Sequence, residues 1–151
     1  MKLTTTTQVS VDGVVQANGA PVENGRRVLE RGGWARPLFD SEAMTRVHEI
    51  YRRANAFLFG RRTYELFAGY WGVRKDLEDP IVGALNRHPK YVASNTLTEP
   101  RWADTTVLSG DVAAAIGELK AGPAGELQVH GSGTQVYRPA GRPQYAPATA
   151  A

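Results

Sequence analysis

Residues 57–65 read FLFGRRTYE. An apolar run that is typical of a buried strand meets Gly60, Arg61, Arg62 and Thr63, and an amphipathic segment then begins. A strand that leads into a helix presents the unpaired N–H groups and the positive dipole end of that helix. Gly60 lets a ligand approach the backbone, and the two arginines supply positive charge for a phosphate. The stretch therefore predicts an anion-binding strand–helix junction, although the arginines alone are equally well explained as a solvated helix start.

A second glycine-containing stretch covers residues 126–134 and reads ELQVHGSGT. Gly131, Ser132, Gly133 and Thr134 follow a strand-like segment, and their backbone N–H groups could wrap a diphosphate. Val136 stands where the last glycine of a Gly-x-Gly-x-x-Gly pattern would be, so a standard dinucleotide-binding fingerprint fails. Glycine turns after strands are common, and this signal is weak by itself. Two such cradles in one small domain predict a nucleotide with several phosphates.

The rest of the chain alternates strand and helix signals. Every second residue from 3 to 11 is apolar or β-branched, which predicts a first strand. Asp40, Asp79 and Asp111 each precede a segment with helical spacing and are expected to cap it. Strand-like segments at 56–59, 91–94, 105–108 and 127–130 lie between these helices. The pattern predicts an α/β fold whose mainly parallel central sheet is flanked by helices on both faces.

Two segments have the composition of loops. Residues 18–37 are rich in Gly, Pro and Arg, and we expect a mobile lid over the active site. Residues 135–151 contain Pro139, Pro143 and Pro147 with almost no periodic apolar pattern, and we expect them to be disordered. The expected organisation is a nucleotide-binding domain at 1–134 and a Pro/Ala-rich tail at 135–151.

Composition restricts the function classes. The sequence has no cysteine, which excludes disulfides, cysteine–zinc sites and thiol nucleophiles. It has no apolar run of membrane-spanning length, and residues 1–4 open a strand pattern rather than a signal peptide, so we expect a cytoplasmic protein. The net charge is +3, and acidic residues separate the arginine pairs, so we expect no nucleic-acid partner and no membrane partner. His48, His88 and His130 lack metal-ligand spacing, so we expect no metal site and structural roles for the three.

Taken in order, these segments resemble the dihydrofolate reductase-like fold, and most closely its RibD C-terminal branch, the reductase domain of riboflavin biosynthesis. The pieces that carry the resemblance are TQVSVDG at 7–13, GGWA at 32–35, GRRTYE at 60–65, YVASNTL at 91–97 and VHGSGT at 129–134. Together they span about residues 2–134. The resemblance implies an NADPH-dependent reductase that transfers a hydride to a pyrimidine- or pteridine-like heterocycle, such as 5-amino-6-(5-phosphoribosylamino)uracil.

The resemblance also implies roles on the cofactor side. Arg61 and Arg62 would face the phosphates of NADPH, with Gly60 at the close approach and Thr63 bonded to the pyrophosphate region. Ser94 and Asn95 would lie near the adenosine 2′-phosphate. Gly131, Ser132, Gly133 and Thr134 would surround the diphosphate.

On the substrate side, the Ser-x-Asp-Gly segment of the family lines the cleft beside the nicotinamide. Ser10, Asp12 and Gly13 match it, and Asp12 is the best polar candidate for catalysis; a plain Asp-Gly turn explains it equally well. Trp34 would close the substrate pocket or serve as a core aromatic. Met44 stands where dihydrofolate reductases carry the carboxylate that meets the pterin, so folate itself is disfavoured.

After Thr134 the chain departs from the family pattern. Relatives continue into a helix and a closing antiparallel strand pair, and this sequence has no segment that matches them. We expect the strand at 127–130 to be central or near-central and to need neighbours on both sides. The missing strands would then leave an uncovered sheet edge beside it, through which the chain could self-associate as a homodimer. Two alternatives to an active reductase remain open: a non-catalytic nucleotide-binding protein, and a structural module that swaps strands through this edge.

Overall fold

The computed structural model describes residues 1–15 and 33–131, together with the backbone of two short strands at 22–23 and 26–27. Within this part of the chain the strands are β1 Lys2–Thr6, β2 Val22–Glu23, β3 Arg26–Arg27, β4 Ala56–Gly60, β5 Lys90–Ala93, β6 Thr105–Leu108 and β7 Glu126–His130. The α-helices are α1 Ser41–Arg52, α2 Arg61–Tyr70, α3 Pro80–Arg87 and α4 Val112–Ala121, and a 3₁₀ turn, Arg36–Leu38, precedes α1.

Five parallel strands form the central sheet, in the order β1-β7-β4-β5-β6. From β4 the chain runs outward through β5 and β6, and then returns across the sheet to insert β7 between β1 and β4. Gln128 of β7 is paired with Thr4 on one side and with Phe57 on the other. The parallel sheet predicted from the sequence is confirmed, and β2 and β3 form a separate antiparallel pair.

The sheet is buried on both faces, and β4 shows how its side chains divide. Phe57 and Phe59 point to a core formed with α1, α2 and α3, whereas Ala56 and Leu58 point to the opposite core. There, Ile116 and Leu119 of α4 pack against β4 and β7. This three-layer α/β arrangement is that of the dihydrofolate reductase-like fold.

Three of the four helices begin at the aspartates expected to cap them. The carboxylate of Asp40 accepts from Ala43 N at 2.8 Å, that of Asp79 from Ile81 N and Val82 N at 2.9 and 3.0 Å, and that of Asp111 from Ala114 N at 3.0 Å. Each bond satisfies N–H groups that the first helical turn leaves unpaired. A local sequence signal is therefore enough to set the start of α1, α3 and α4.

The first strand is shorter than its pattern predicted. β1 ends at Thr6 rather than near Val11, because residues 10–14 form a turn in which Gly13 N donates to Ser10 O at 2.9 Å. Gly13 has φ +86°, a conformation that favours glycine. Val9 and Val11 are exposed, so alternation alone did not indicate burial here.

The expectation of an uncovered edge beside β7 is wrong, because β1 and β4 pair with its two sides. Two further expectations, a disordered tail at 135–151 and no closing strand pair, concern residues outside the described part of the chain. Most of the proposed lid lies there as well, except for the short strands β2 and β3 and the 3₁₀ turn. No helix in the described part of the chain is long and apolar enough to cross a membrane.

A buried lysine fastens α3 to the sheet. Lys90 of β5 is fully buried, and its Nζ donates to Leu85 O at 3.0 Å and to His88 O at 2.8 Å. These carbonyls lie at the end of α3, where the helix leaves acceptors unpaired. Burial lowers the pKa of Lys90, and the charge of Asp104 partly opposes this.

We expect Lys90→Met to lower the free energy of unfolding by about 1–3 kcal/mol, because a side chain of similar length would leave both carbonyls without their donor. Lys75→Met removes the same charge from an exposed site and is the matched control. Urea denaturation of the two variants measures the difference. An equal loss in both would show that charge, rather than the buried hydrogen bonds, explains the effect.

Candidate functional site

A cavity of about 390 Å³ opens at the carboxyl ends of β1 and β7. We call it the strand-end cavity. Its described polar side chains are Thr6, Gln8, Arg36, Tyr51, Thr63 and His130, and its apolar wall comes mainly from α1 and α2, with Met44, Val47, Ile50, Leu66 and Phe67. Ligands of open α/β sheets bind outside the carboxyl ends of the strands, where the strand order reverses. The return of the chain to β7 places the cavity at such a point.

The start of α2 differs from the starts of the other helices. Gly60 is its N-cap and offers no side chain, so none caps the first N–H groups. Arg61 and Arg62 occupy the first turn, where they add positive charge to the positive end of the dipole. Gly60 itself has φ −74°, and no described atom lies within 4 Å of where a Cβ would be. The backbone does not require glycine at this position, but the space above it is open to a ligand.

Arg61 and Ser94, two of the predicted cofactor residues, lie in one network. Arg61 Nε donates to Glu65 Oε1 at 2.8 Å and its guanidinium also donates to Thr96 Oγ1 at 2.7 Å. The hydroxyl of Ser94 accepts from the backbone N–H of Thr96 and of Leu97, at 3.2 and 3.1 Å. Arg61 therefore ties α2 to the loop after β5, and part of its charge is balanced by Glu65.

Asn95 and Arg62, two further predicted cofactor residues, are not part of this network. Asn95 Oδ1 accepts from Gly110 N at 2.9 Å and so joins the loop after β5 to the loop after β6. Arg62 is exposed and forms no ion pair with a described residue. Its guanidinium is available to an anion.

A second cavity of about 640 Å³ lies on the other side of the α2 start. We call it the α2 groove; Arg61, Thr96, Arg101 and Trp102 contribute to its wall. Arg61 faces this groove, and Thr63, two residues later, faces the strand-end cavity. The first turn of α2 thus separates two cavities that a long ligand could occupy together.

Gly131 and Thr63 join the two glycine-containing stretches. Gly131 has φ +143°, and a Cβ there would lie 2.7 Å from Thr63 Oγ1, well inside van der Waals contact. Only glycine fits this junction. Ser132, Gly133 and Thr134, the remaining residues of the predicted cradle, lie outside the described residues.

The predicted substrate-side residues do not line the strand-end cavity. Ser10, Asp12 and Gly13 form the exposed turn after β1, in which the Ser10 hydroxyl donates to Asp12 Oδ1. They are not among the described residues that line the strand-end cavity, although Gln8 and Val15 on either side of the turn are. Trp34 is half-buried in the turn before the 3₁₀ helix and is also absent from that wall. Their predicted roles stay predictions.

His130 is a site residue that the sequence reasoning missed. It is 5 % exposed, lines the strand-end cavity and stacks on Tyr51, with ring centroids 4.7 Å apart. Its Nε2 lies 2.9 Å from Gln128 Oε1. The available signal was Glu126, Gln128 and His130, three polar residues at alternate positions of a strand predicted to be interior.

Burial determines the protonation state of the two rings. It lowers the pKa of His130 to about 4, against an opposing effect of Glu126, so the imidazole is neutral at pH 7. Burial also raises the pKa of Tyr51. No three His, Asp or Glu side chains within residues 1–15 and 33–131 are grouped as a metal site.

A comparison with protein-family models matches residues 1–137 to one family, the RibD C-terminal domain. The match spans all five strands of the central sheet and both glycine-containing stretches. No curated protein matches the chain.

Two glycine variants distinguish a position that is open for a ligand from a position where the fold itself requires glycine. Gly60→Ala should leave the melting temperature unchanged or slightly raised, because φ −74° suits alanine and the space is open, but should weaken nucleotide binding if a phosphate occupies that space. Gly131→Ala should lower the melting temperature without any ligand, because its Cβ would collide with Thr63. Thermal shift with and without NADPH measures both. Unchanged NADPH affinity in Gly60→Ala would remove the predicted role of Gly60.

Stability should fall as the pH drops below about 6.5. The unfolded chain then protonates His130 while the folded chain, with a pKa of about 4, does not, which costs about 2 kcal/mol at pH 5. The charged and titratable groups that face the ring are Glu126 on β7 and Tyr51 on α1, and Arg36 lines the same cavity. His88, whose pKa burial also lowers, adds an effect of the same sign.

Denaturation of the wild type, His130→Asn and His88→Asn at pH 7.5 and pH 5 separates the two histidines. His130→Asn should lose most of the pH dependence, and His88→Asn a smaller part. Equal pH dependence in His130→Asn and the wild type would mean that the folded protein binds a proton at His130 as easily as the unfolded chain does.

Proposed function

The chain belongs to the RibD C-terminal domain family, and on this premise we propose that it is an NADPH-dependent reductase of a pyrimidine- or pteridine-like heterocycle. The observation that carries the proposal is the arrangement of two cavities on either side of the uncapped start of α2. A dinucleotide needs such a path: one end in each cavity, and its phosphates beside free N–H groups and positive charge.

The residues present fit this cofactor. The N–H groups at the start of α2 and the guanidinium of Arg62 would hold the diphosphate, and Thr63 would donate from the strand-end side. Arg61, together with Ser94 and Thr96, would hold the adenosine 2′-phosphate in the α2 groove. Arg61 would then share its donors between Glu65 and the phosphate. The predicted contacts of Ser132, Gly133 and Thr134 with the diphosphate belong to the same proposal.

When bound, NADPH supplies a hydride that adds to an electron-poor C=N or C=O carbon, while the heteroatom takes up a proton. The chain contributes a wall of Met44, Val47 and Phe67 that excludes water from the strand-end cavity. The imidazole of His130 is neutral at pH 7, so it is not proposed as a cationic general acid. Asp12 and Ser10, on the turn beside the cavity, are the candidates for contact with the substrate.

The strand-end cavity also suits one kind of heterocycle over another. Its described wall contains no carboxylate, and Met44 lies in it where a pterin-binding acid would be needed. Its charged side chain is Arg36, which would pair with an anionic substituent. A phosphoribosylated aminopyrimidine, as in riboflavin biosynthesis, meets these conditions better than folate.

We expect NADPH to bind more tightly than NADH, and Arg61→Ala to weaken NADPH by about 1.5–3 kcal/mol, the usual worth of a hydrogen bond to a charged group. Arg46→Ala removes an arginine that is likewise paired to a glutamate on an exposed helix face, and it should have no effect on affinity. Calorimetric titration of both nucleotides into the three proteins measures this. Equal affinities of the wild type for NADPH and NADH would contradict the assignment.

Turnover separates the reductase from a nucleotide-binding protein without catalysis. Oxidation of NADPH, followed by absorbance, should accelerate with a phosphoribosylated aminopyrimidine among a panel of heterocycles. Tight NADPH binding with no turnover on any member would favour the non-catalytic alternative.

A further inference from the structure

A chain of polar side chains runs from the exposed end of α1 along β7 and ends at the strand-end cavity. Arg53 Nε lies 3.6 Å from Glu126 Oε2, and Glu126 Oε1 accepts from Gln128 Nε2 at 2.7 Å. Gln128 then meets His130 at 2.9 Å. Gln128 is fully buried, so its bond to His130 is sheltered from solvent, whereas the Arg53 end of the chain is exposed.

The partners of Gln128 determine which of its amide atoms is which. Its amide nitrogen lies 2.7 Å from both Ile50 O and Glu126 Oε1. A carbonyl and a carboxylate oxygen only accept, so this atom must be the NH₂ group, and both of its hydrogens are used. The atom facing His130 is consequently the amide oxygen, which also only accepts.

The proton of His130 must therefore lie on Nε2, where it is donated to Gln128. In a neutral imidazole the other nitrogen, Nδ1, then carries a lone pair and accepts. Nδ1 has no hydrogen-bond partner among the described residues. The ring itself lines the strand-end cavity, so it borders the space that a ligand would occupy.

Neighbouring rings hold the imidazole in this orientation. Tyr51 stacks on it at 23° between ring planes, and Phe57 packs at 5.7 Å between centroids. A ring flip would also turn Cε1 instead of Nε2 toward the amide oxygen of Gln128 and leave that buried acceptor without its donor, which is costly. The tautomer and the orientation are thus fixed by the protein before any ligand arrives.

We propose that His130 is a specificity-determining residue whose Nδ1 accepts a ring N–H of the heterocycle in the strand-end cavity, with Gln128 and Glu126 as its positioning residues. The ligand class is a lactam-type ring that presents an N–H, as pyrimidinediones do. The inference rests on the proposed function for the identity of the cavity as the substrate site, but its geometry comes from β7 and α1 alone.

Two variants of His130 test the contributions of its two ring nitrogens separately. His130→Asn keeps a polar group near the position of Nδ1, and His130→Gln keeps one near the position of Nε2. Uracil is the probe, and 1,3-dimethyluracil, which has no ring N–H, is its matched control. Binding is measured by NMR titration with and without NADP⁺.

Uracil should bind the wild type and His130→Asn with dissociation constants within about threefold of each other, and His130→Gln about tenfold more weakly. 1,3-Dimethyluracil should bind all three proteins weakly and equally. Equal uracil affinity in the wild type and His130→Gln would overturn the proposal, as would failure of uracil to bind the wild type.

Wild-type protein with ¹⁵N-labelled histidine keeps the test decisive if a variant does not fold. The expected spectrum at pH 7 shows His130 neutral with its proton on Nε2, and a Nδ1 signal that shifts with uracil but not with 1,3-dimethyluracil. A proton on Nδ1 would overturn the proposal. If NADPH fails to bind while uracil shifts Nδ1, the reductase assignment falls and this inference stands. If NADPH is turned over but uracil leaves Nδ1 unshifted, the reductase assignment stands and this inference falls.

Discussion

The pairing of β7 between β1 and β4 is the constraint on which the site depends. Its register sets His130 opposite Thr6 at the end of β1 and places Gly131 beside Thr63 at the start of α2. Because alternate side chains of a strand face opposite sides, a slip of one residue would turn Gln128 and His130 toward α4 and move Leu127 and Val129 under α1. The polar chain, the cavity wall and the glycine contact would then be lost together. Two apolar cores of different composition, one on each face, hold the register against such a slip.

Features that depend on near neighbours in the sequence were predicted well. An aspartate before a helical pattern was enough to place α1, α3 and α4, since capping bonds span only two or three residues. The amphipathic segment expected after the apolar strand and Gly60 is α2, Arg61–Tyr70. The half-buried positions of α4 are Val112, Ala115, Ile116 and Leu119, which have the spacing of one helix face. The α/β class followed from the alternation of such segments.

Features that depend on distant partners were predicted poorly. The strand at 127–130 was placed in the interior of the sheet, but its neighbours could not be read from the sequence, because strand order is decided by cores that form between remote segments. The reason offered for Gly60 was close backbone approach, yet of the two described glycines of the predicted site it is Gly131 whose Cβ would collide, with a partner on α2. His130 was judged structural because only metal spacing was tested, and the alternation it shares with Glu126 and Gln128 was overlooked.

The polar chain on β7 needs a physical reason, because leucines at these positions would pack under α1 with no polar group to satisfy. Buried polar groups are tolerated only when fully hydrogen-bonded, and here Thr4 of β1 and Ile50 and Arg53 at the end of α1 meet that demand. Hydrogen bonds fix the orientation of a side chain, which apolar packing does not. They set the ring of His130, which burial keeps neutral at pH 7 in a cavity whose wall also contains Arg36. A protonated ring would place a second positive charge in the cavity and would turn its acceptor into a donor. The protein thus keeps one acceptor, His130 Nδ1, and one cation, Arg36, in the same cavity. This combination suits a heterocycle with a ring N–H and an anionic substituent.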